Sequence, residues 1–170
     1  MKGIVMDNII LVGMPGCGKS TIGVILAKSL AFDFMDSDLL IQNRAGKKLH
    51  EIIRDDGIDA FMDLEDTVNA EIETDNTVIA TGGSVVYCER AMEHFKDIGR
   101  VVYLKAEKDE LMRRISNFKT RGIVIPEGKS FSELYDERVP LYERYADITV
   151  SSDIGTAEEV VERICQLIEK

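Results

Sequence analysis

The chain has 170 residues, of which 45% are hydrophobic and 31% charged, and this balance argues against a disordered or membrane-spanning protein. The net charge of −10 argues against nucleic acid and anionic membranes as partners, although local cations and backbone N–H groups still bind a small anion. The three cysteines, Cys17, Cys88 and Cys165, show neither a disulfide framework nor zinc-ligand spacing. We therefore expect one cytoplasmic domain, residues 1–170, that acts as a monomer on a small molecule.

Strand-like and helix-like segments alternate along the chain. In chain order, short apolar runs predict strands at NIILVG, FDFMDSD, NTVIATGG, RVVYLKA and DITVSS. Helical spacing predicts helices between them, with breaks at Gly46 and Gly57 and a disturbance at Pro140. The stretch KTRGIVIPEGKS predicts a mobile loop, because it holds two glycines, a proline and three cations.

This alternation predicts an α/β fold of three layers, in which helices cover both faces of a five-stranded parallel sheet. Ligands in such folds bind beyond the carboxyl ends of the strands. The glycine-rich ends of the first and third strands and the acidic end of the second should therefore meet at one cleft.

The segment GMPGCGKS matches the phosphate-binding pattern G-x-x-x-x-G-K-[ST] through Gly13, Gly18, Lys19 and Ser20. The glycines let backbone N–H groups face phosphate oxygens, Lys19 supplies a positive charge and the Ser20 hydroxyl suits Mg²⁺. The alternative is a glycine-rich turn that only links a strand to a helix. The motif follows a predicted strand and opens a predicted helix, which is the context that nucleotide binding requires.

Two further strand ends carry chemistry. Asp36 and Asp38 lie on the same side of an extended chain, because side chains alternate along a strand. Near a triphosphate, one carboxylate suits a metal ion and the other suits the acceptor hydroxyl and its proton, whereas the alternative is a helix cap. The glycines of TGGS, residues 81–84, allow a ligand to approach the backbone closely, or form a tight turn.

These motifs, with FMDLE, a cationic loop and RVPLYERYAD, occur in the order seen in shikimate kinases, and the resemblance covers nearly the whole chain. It implies a P-loop fold of the nucleoside-monophosphate-kinase type. It also implies a small acceptor-binding helical region at about residues 34–65 and a lid at about residues 114–130. The implied reaction is transfer of the γ-phosphoryl group of ATP to a hydroxyl of shikimate, with Mg²⁺.

The resemblance assigns the nucleotide to the phosphate loop, to two arginines of the lid region and to the loop after the fifth strand. These residues are Gly13, Gly16, Cys17, Gly18, Lys19, Ser20, Thr21, Arg114, Arg121, Ser152 and Asp153. Arg114 is expected to stack on adenine, and Arg121 to stabilise the transferred phosphoryl group. Ser20, and Asp36 through water, are expected to hold Mg²⁺.

The resemblance assigns the acceptor to a second group of residues, namely Asp38, Met62, Gly82, Gly83, Ser84 and Arg138. Asp38 is expected to hold the acceptor hydroxyl and act as the base, so that Asp38, Lys19 and Arg121 form the catalytic set. Gly83 is expected to offer its N–H to the substrate, and Arg138 to contact the substrate carboxylate.

The acceptor side departs from the family pattern, which reads F-R-x-x-E where this chain has FMDLE. Met62 replaces an arginine that helps to clamp the carboxylate of shikimate, and methionine has no charge and no donor. Ser84 replaces a third glycine, and the lid reads RGIV instead of R-P-L-L. Either another cation such as Arg54 or Arg44 compensates, or the acceptor differs.

The sequence therefore predicts an ATP- and Mg²⁺-dependent kinase of a small hydroxylated metabolite, with shikimate as the leading acceptor. The alternatives are a related kinase with a different acceptor, a nucleoside-monophosphate kinase and a non-catalytic nucleotide-binding module. Retention of Lys19, Ser20, Asp36, Asp38 and Arg121 argues against the last of these.

Overall fold

A computed structural model describes residues 7–115 and 125–170. Within them, five parallel strands form one sheet, which confirms the predicted α/β class. In chain order the strands are β1 (Asn8–Val12), β2 (Asp33–Asp36), β3 (Thr77–Ala80), β4 (Gly99–Lys105) and β5 (Ile148–Ser151). Their order across the sheet is β2-β3-β1-β4-β5.

Helices connect the strands, and a 3₁₀ turn at Val85–Tyr87 follows β3. The α-helices are α1 (Lys19–Leu30), α2 (Ser37–Ala45), α3 (Leu49–Asp56), α4 (Ile58–Ala70), α5 (Glu89–Ile98), α6 (Lys108–Arg114), α7 (Phe131–Tyr145) and α8 (Ala157–Ile168). The predicted breaks at Gly46 and Gly57 are confirmed, because these residues end α2 and α3.

The order of the strands places the cleft. From β1 the chain crosses through α1 to β2 at one edge, and it later returns over β1 from β3 to β4. Right-handed crossovers therefore put α1 on one face of the sheet and the helices between β2 and β5 on the other. The chain leaves β1 and β3 in different directions, and such a switch point is where α/β sheets bind ligands.

Two apolar clusters support this arrangement. The larger one surrounds the sheet, where Ile10, Leu11 and Val12 of β1 are fully buried. The smaller one gathers α2, α3 and α4 through Ile41, Leu49, Ile52, Phe61 and Val68. The second cluster fixes the three short helices beside the carboxyl edge of the sheet, where they form one wall of a cleft.

Pro140 lies inside α7 and does not end the helix, although the sequence predicted a disturbance there. The proline cannot donate a hydrogen bond to the carbonyl of Asp136 one turn earlier. Both residues are exposed, so water can bind that carbonyl and the helix continues.

No helix in the two described segments has the length and the apolar composition needed to cross a membrane.

Candidate active site

A cleft of about 550 Å³ opens at the carboxyl edge of the sheet. The phosphate loop, the start of α2, α4, the segment after β3, the end of α6 and α7 all contribute to it. Its lining residues are Pro15, Gly16, Gly18, Lys19, Ser20, Thr21, Asp38, Leu49, Phe61, Glu65, Thr81, Gly82, Gly83, Ser84, Arg114 and Arg138. Many of the residues singled out in the sequence thus meet in one space, as expected from the strand ends.

The phosphate loop presents backbone donors to this cleft. Gly16 and Gly18 have φ values of +83° and +100°, which side-chain-bearing residues rarely adopt. Gly18 precedes the first residue of α1 and offers no side-chain cap, so the first N–H groups of the helix remain available to an anion. Lys19 is 8% exposed, and its Nζ donates to the carbonyl oxygens of Gly13 (2.7 Å) and Met14 (3.0 Å). The loop therefore already holds the Lys19 ammonium group in the place where it can bind a phosphate.

Gly13 and Cys17 shape this loop and do not line the cleft. A Cβ on Gly13 would lie 2.7 Å from the Leu104 carbonyl oxygen and 2.8 Å from the Cys17 sulfur. Cys17 is fully buried, and its N–H donates to the Met14 carbonyl. The close approach of loop and β4 thus depends on a glycine at position 13.

Asp36 has two roles at the start of α2. Its Oδ1 accepts a hydrogen bond from the Asp38 N–H at 2.9 Å, which makes Asp36 the N-cap of the helix. Its Oδ2 lies 3.5 Å from the Ser20 hydroxyl. The sequence did not decide whether an aspartate of this segment caps a helix, and in the structure Asp36 is the cap. Its second oxygen and Ser20 still offer two hard oxygen ligands, the type that Mg²⁺ prefers beside phosphates.

Asp38 lies inside the cleft as the second residue of α2, and so not on the extended chain that the sequence predicted for it. Burial, and secondarily the charge of Asp36, raise the pKa of Asp38 from 3.8 to about 6, while Lys19 opposes the rise. A carboxylate near neutral pKa is suited to accept a proton from a hydroxyl at physiological pH.

Arg138 supplies a buried cation at the acceptor side of the cleft. The residue is 1% exposed, and its guanidinium lies 5.3 Å from the centroid of the Tyr87 ring. The Tyr87 hydroxyl in turn donates to Glu137 at 2.6 Å, and Lys129 pairs with the same carboxylate. The aromatic ring and its anchored hydroxyl hold the arginine beside the space that an anionic acceptor would occupy.

Glu65 is a buried carboxyl group on the same side. It is fully buried on α4, and the Ser84 hydroxyl donates to its Oε2 at 2.6 Å. Burial raises the pKa of Glu65 from 4.5 to about 7, and the hydrogen bond from Ser84 and the charge of Arg138 only partly offset this rise. The acceptor side therefore contains two carboxyl groups whose ionisation is costly.

Met62 does not line this cleft. It packs against both apolar clusters, and it borders a neighbouring groove with Asp63, Asp66, Tyr87 and Glu93. Its carbonyl oxygen lies 3.8 Å from the Cys88 sulfur. This chain thus has an apolar side chain beside the cleft at the position where the family pattern has an arginine.

Arg44 and Arg54, the two cations considered as substitutes, lie elsewhere. Arg44 pairs with Glu71 at 2.9 Å and borders a different groove, and Arg54 pairs with Asp55 at 2.7 Å. Both arginine side chains are more than half exposed. Neither lines the cleft, so in this conformation neither takes the place of the arginine that the family has at position 62.

Arg114 lies at the nucleotide side, whereas the loop after β5 does not line the cleft. The Arg114 guanidinium donates to Glu110 at 2.8 Å and to the Gly16 carbonyl at 3.3 Å. The Ser152 hydroxyl donates to the Lys105 carbonyl, and Asp153 accepts from the Glu107 N–H at 2.7 Å. Arg121 and residues 116–124 of the expected lid lie outside the described residues.

Several lining residues were not among the expected site residues, namely Pro15, Leu49, Phe61, Glu65 and Thr81. Phe61 and Glu65 are four residues apart and so share one face of α4, a spacing that was visible in FMDLE. Leu49 belongs to a helix that only the packing of the second apolar cluster brings to the cleft. Nothing in the sequence around Leu49 indicates that it lines the cleft.

Comparisons with known proteins agree with this geometry. A sequence model described as "Shikimate kinase" matches residues 15–169. The shikimate kinase of Caldanaerobacter subterraneus subsp. tengcongensis is 38% identical over 162 residues, which cover 94% of either chain.

Solved structures give the same result. A shikimate kinase from Acinetobacter baumannii in complex with shikimate aligns with a TM-score of 0.89 and 32% identity, over 96% of this chain and 93% of that one. The shikimate kinase of Aquifex aeolicus vf5 aligns with a TM-score of 0.81 and 32% identity, over 95% and 96% of the two chains. The chain belongs to the shikimate kinase family, whose members are phosphotransferases that act on a hydroxyl group and use ATP as the phosphate donor.

Proposed function

We propose that this protein transfers the γ-phosphoryl group of ATP to a hydroxyl of shikimate. The observation that carries the proposal is the meeting of the phosphate loop, Asp38 and Arg138 around one cleft. This arrangement supplies a donor site, a base and a cation for an acidic acceptor. The charge of −10 is consistent with a small-molecule partner, and we expect a cytoplasmic monomer that does not bind nucleic acid.

The nucleotide is held by the phosphate loop. The N–H groups at the start of α1 and the Lys19 ammonium neutralise phosphate charge, and Lys19 exchanges its contacts with the loop carbonyls for phosphate oxygens. Ser20 and Asp36 are the residues that would hold Mg²⁺, which when bound neutralises charge on the phosphates. We propose that Arg114 contacts the nucleotide base.

Asp38 is the group that handles the acceptor hydroxyl. Its carboxylate orients the hydroxyl oxygen toward the γ-phosphorus. It accepts the hydroxyl proton as the new O–P bond forms and the bond from the γ-phosphorus to the bridging oxygen of ADP breaks. Burial raises the pKa of Asp38 to about 6, so the group is still ionised at neutral pH and holds a proton more strongly than a surface carboxylate. The Arg138 guanidinium binds the acceptor carboxylate by charge-assisted hydrogen bonds.

A different hydroxylated acceptor is the second candidate. The observation in its favour is that Arg138 is the one cation that the described residues contribute at the acceptor side, where Glu65 and Asp38 provide two carboxyl groups. Loss of one desolvated arginine contact costs a factor of roughly 30 to 4000 in affinity. A polyol with less negative charge would lose less affinity at a site that has one cation and two carboxyl groups.

An ATP-consumption assay decides between these candidates. The purified protein is supplied with Mg²⁺-ATP and a panel of shikimate, other hydroxylated acids, sugars, amino alcohols and nucleoside monophosphates. We expect shikimate to give the largest kcat/KM and the product to carry the phosphate on a ring hydroxyl. Preference for another member of the panel would overturn shikimate as the acceptor, and no turnover with any member would contradict the proposed kinase activity.

A further inference from the structure

Tyr142, on α7, contacts segments from both sides of the cleft without lining it. The residue is fully buried, and its hydroxyl donates a hydrogen bond to the Gly83 carbonyl. The same hydroxyl oxygen lies 3.8 Å from the sulfur of Met14, which belongs to the phosphate loop. One hydroxyl group is therefore in contact with the nucleotide side through Met14 and with the acceptor side through Gly83.

The main chain at Gly83 is packed closely on both of these sides. A Cβ on Gly83 would lie 2.7 Å from Pro15 Cδ and 3.1 Å from Arg138 Nη1, so there is no room for a side chain. The turn after β3 thus packs directly on the phosphate loop and on the arginine of the acceptor side. Because such contacts transmit small displacements, a movement of Gly83 would change the separation of the two sides of the cleft.

The carbonyl groups of this turn are held by other parts of the protein. The Gly82 carbonyl accepts from the Val85 N–H at 3.3 Å, and the Gly83 carbonyl accepts from the Tyr142 hydroxyl. Because Tyr142 is buried, the Gly83 carbonyl points into the protein. A carbonyl oxygen turned toward the cleft would instead repel an anionic acceptor.

The place of the Tyr142 hydroxyl is itself well fixed. The ring stacks on that of Tyr103 in β4, with 5.1 Å between the ring centroids and 23° between the planes. Burial raises the pKa of Tyr142, and the nearby Arg138 guanidinium only partly offsets the rise, so the hydroxyl keeps its proton and remains a donor. The contact with β4 thus holds this donor in a defined position relative to the sheet.

We propose that Tyr142 is a positioning residue for phosphoryl transfer. Its hydroxyl holds the turn at Gly83 against the phosphate loop, so that an acceptor bound beside Gly83 and Arg138 lies in line with the γ-phosphoryl group. The contact acts on the alignment of the two bound reactants, and so on the rate after binding, because Tyr142 touches neither of them. This inference rests on the proposed function, since it takes the acceptor to bind beside Gly83 and Arg138.

The test compares the wild type with Tyr142→Phe and with the matched control Tyr103→Phe. Each variant removes one buried hydroxyl from the same stacked pair of rings. The Tyr103 hydroxyl has no hydrogen-bond partner among the described residues, whereas that of Tyr142 holds the Gly83 carbonyl. A third variant has p-aminophenylalanine at position 142, whose amino group can donate to the same carbonyl.

The measurements are kcat and KM with shikimate and ATP, the affinity for Mg²⁺-ADP by calorimetry, and thermal unfolding. The kinetics are recorded well below the unfolding temperature of every variant, so that a loss of stability alone does not lower the rate.

We expect Tyr142→Phe to lower kcat by about 10- to 100-fold, the loss for reactants that are misplaced by about 1 Å. The KM for shikimate and the affinity for Mg²⁺-ADP should change little, because the groups that bind each ligand remain. The unfolding temperature should also fall, since the buried Gly83 carbonyl loses its partner. Tyr103→Phe should keep the kcat of the wild type, and p-aminophenylalanine at position 142 should restore most of it.

The outcomes separate this inference from the proposed function. If Tyr142→Phe keeps the kcat of the wild type, or changes only the KM values, the positioning role is overturned while the proposed function stands. An equal loss of kcat in Tyr103→Phe would also overturn it, because the hydrogen bond to Gly83 would then not be the cause. If the wild type binds Mg²⁺-ADP but phosphorylates no acceptor of the panel, the proposed function fails and this inference fails with it.

Discussion

The two halves of the cleft are built in different ways. The nucleotide half comes largely from one short segment, residues 15–21, which supplies backbone N–H groups and one lysine. The acceptor half is assembled from side chains far apart in the chain, with Asp38 on α2, Glu65 on α4, Ser84 after β3 and Arg138 on α7. A backbone cradle accepts any triphosphate of the right shape, whereas converging side chains select among small molecules.

The difference also appears in electrostatics. In the acceptor half, burial raises the pKa of Asp38 to about 6 and that of Glu65 to about 7. Keeping such groups ionised costs folding free energy, and proteins tolerate this cost where function needs it. The acceptor half is thus where we expect substitutions to separate activity from stability.

Asp38→Asn should have the largest effect on catalysis. An amide cannot accept the proton of the acceptor hydroxyl, so we expect kcat to fall by about 100- to 10,000-fold. The nucleotide half is not altered, and the affinity for Mg²⁺-ADP, measured by calorimetry, should change little. Turnover close to that of the wild type would contradict the role of Asp38 as the base and would leave it a structural role in α2.

Lys19→Ala should act on the other half. Removing a buried charge that faces phosphate costs a factor of roughly 30 to 4000 in affinity, so Mg²⁺-ATP and Mg²⁺-ADP should bind much more weakly. Lys19 also holds the carbonyl oxygens of Gly13 and Met14, and Lys19→Met is the control that keeps most of the side-chain volume. Nucleotide affinity that survives in both variants would contradict the role of the loop.

The pH dependence of kcat/KM for the acceptor should report the acceptor half. The free enzyme needs ionised Asp38, so activity should fall by about tenfold per pH unit below about pH 6. Glu65 titrates at about 7 beside it, and the two groups together give a fall that begins near neutrality. In Glu65→Gln the fall should begin closer to pH 6. A profile that is flat from about pH 5 to about pH 8 would rule out a carboxylate base.

Glu65→Gln should change stability with a definite sign. The pKa of Glu65 is higher in the folded protein, about 7, than its ordinary value of 4.5, so the folded state binds this proton more tightly. The resulting stabilisation is complete below the unfolded-state value and is lost as the pH rises through about 7. At about pH 8 the variant should therefore unfold roughly 2–8 °C higher than the wild type, and the difference should shrink toward about pH 5. Thermal unfolding of both proteins, with Glu71→Gln as the exposed control, measures this.

The sequence and the structure agree best where the determinants are local. The five strands, the breaks at Gly46 and Gly57 and the phosphate loop follow from short patterns, and each is found where it was expected. The exact wall of the acceptor half does not follow from such patterns. Leu49 reaches the cleft only because α3 packs on the second apolar cluster, and Met62 turns away from it because only residues 61 and 65 share the inner face of α4.

Asp36 and Ser84 illustrate a second limit of sequence reasoning. The DSD segment was compatible with a cap or with catalysis, and the fold divides these roles between Asp36 and Asp38. Ser84 was visible as a departure from three glycines, but its partner Glu65 lies 19 residues away and is reached only through packing of α4. A hydrogen bond between distant segments depends on the tertiary fold, and a single sequence does not report it.

Met62→Arg should have the smallest effect and gives the sharpest test of the acceptor half. The resemblance to the family predicts that this arginine helps to bind the shikimate carboxylate, so the wild type should have a raised KM and the variant a lower one. In the structure, however, position 62 also borders a groove with the carboxylates of Asp63 and Asp66. A new guanidinium has partners on both sides, so we expect a decrease in KM of less than about tenfold, with kcat nearly unchanged. Met62→Lys is the matched control, since an ammonium carries the charge without the bidentate geometry. If the wild type already has a KM of roughly 1 μM to 1 mM for shikimate and Met62→Arg gives no gain, then Arg138 alone holds the carboxylate.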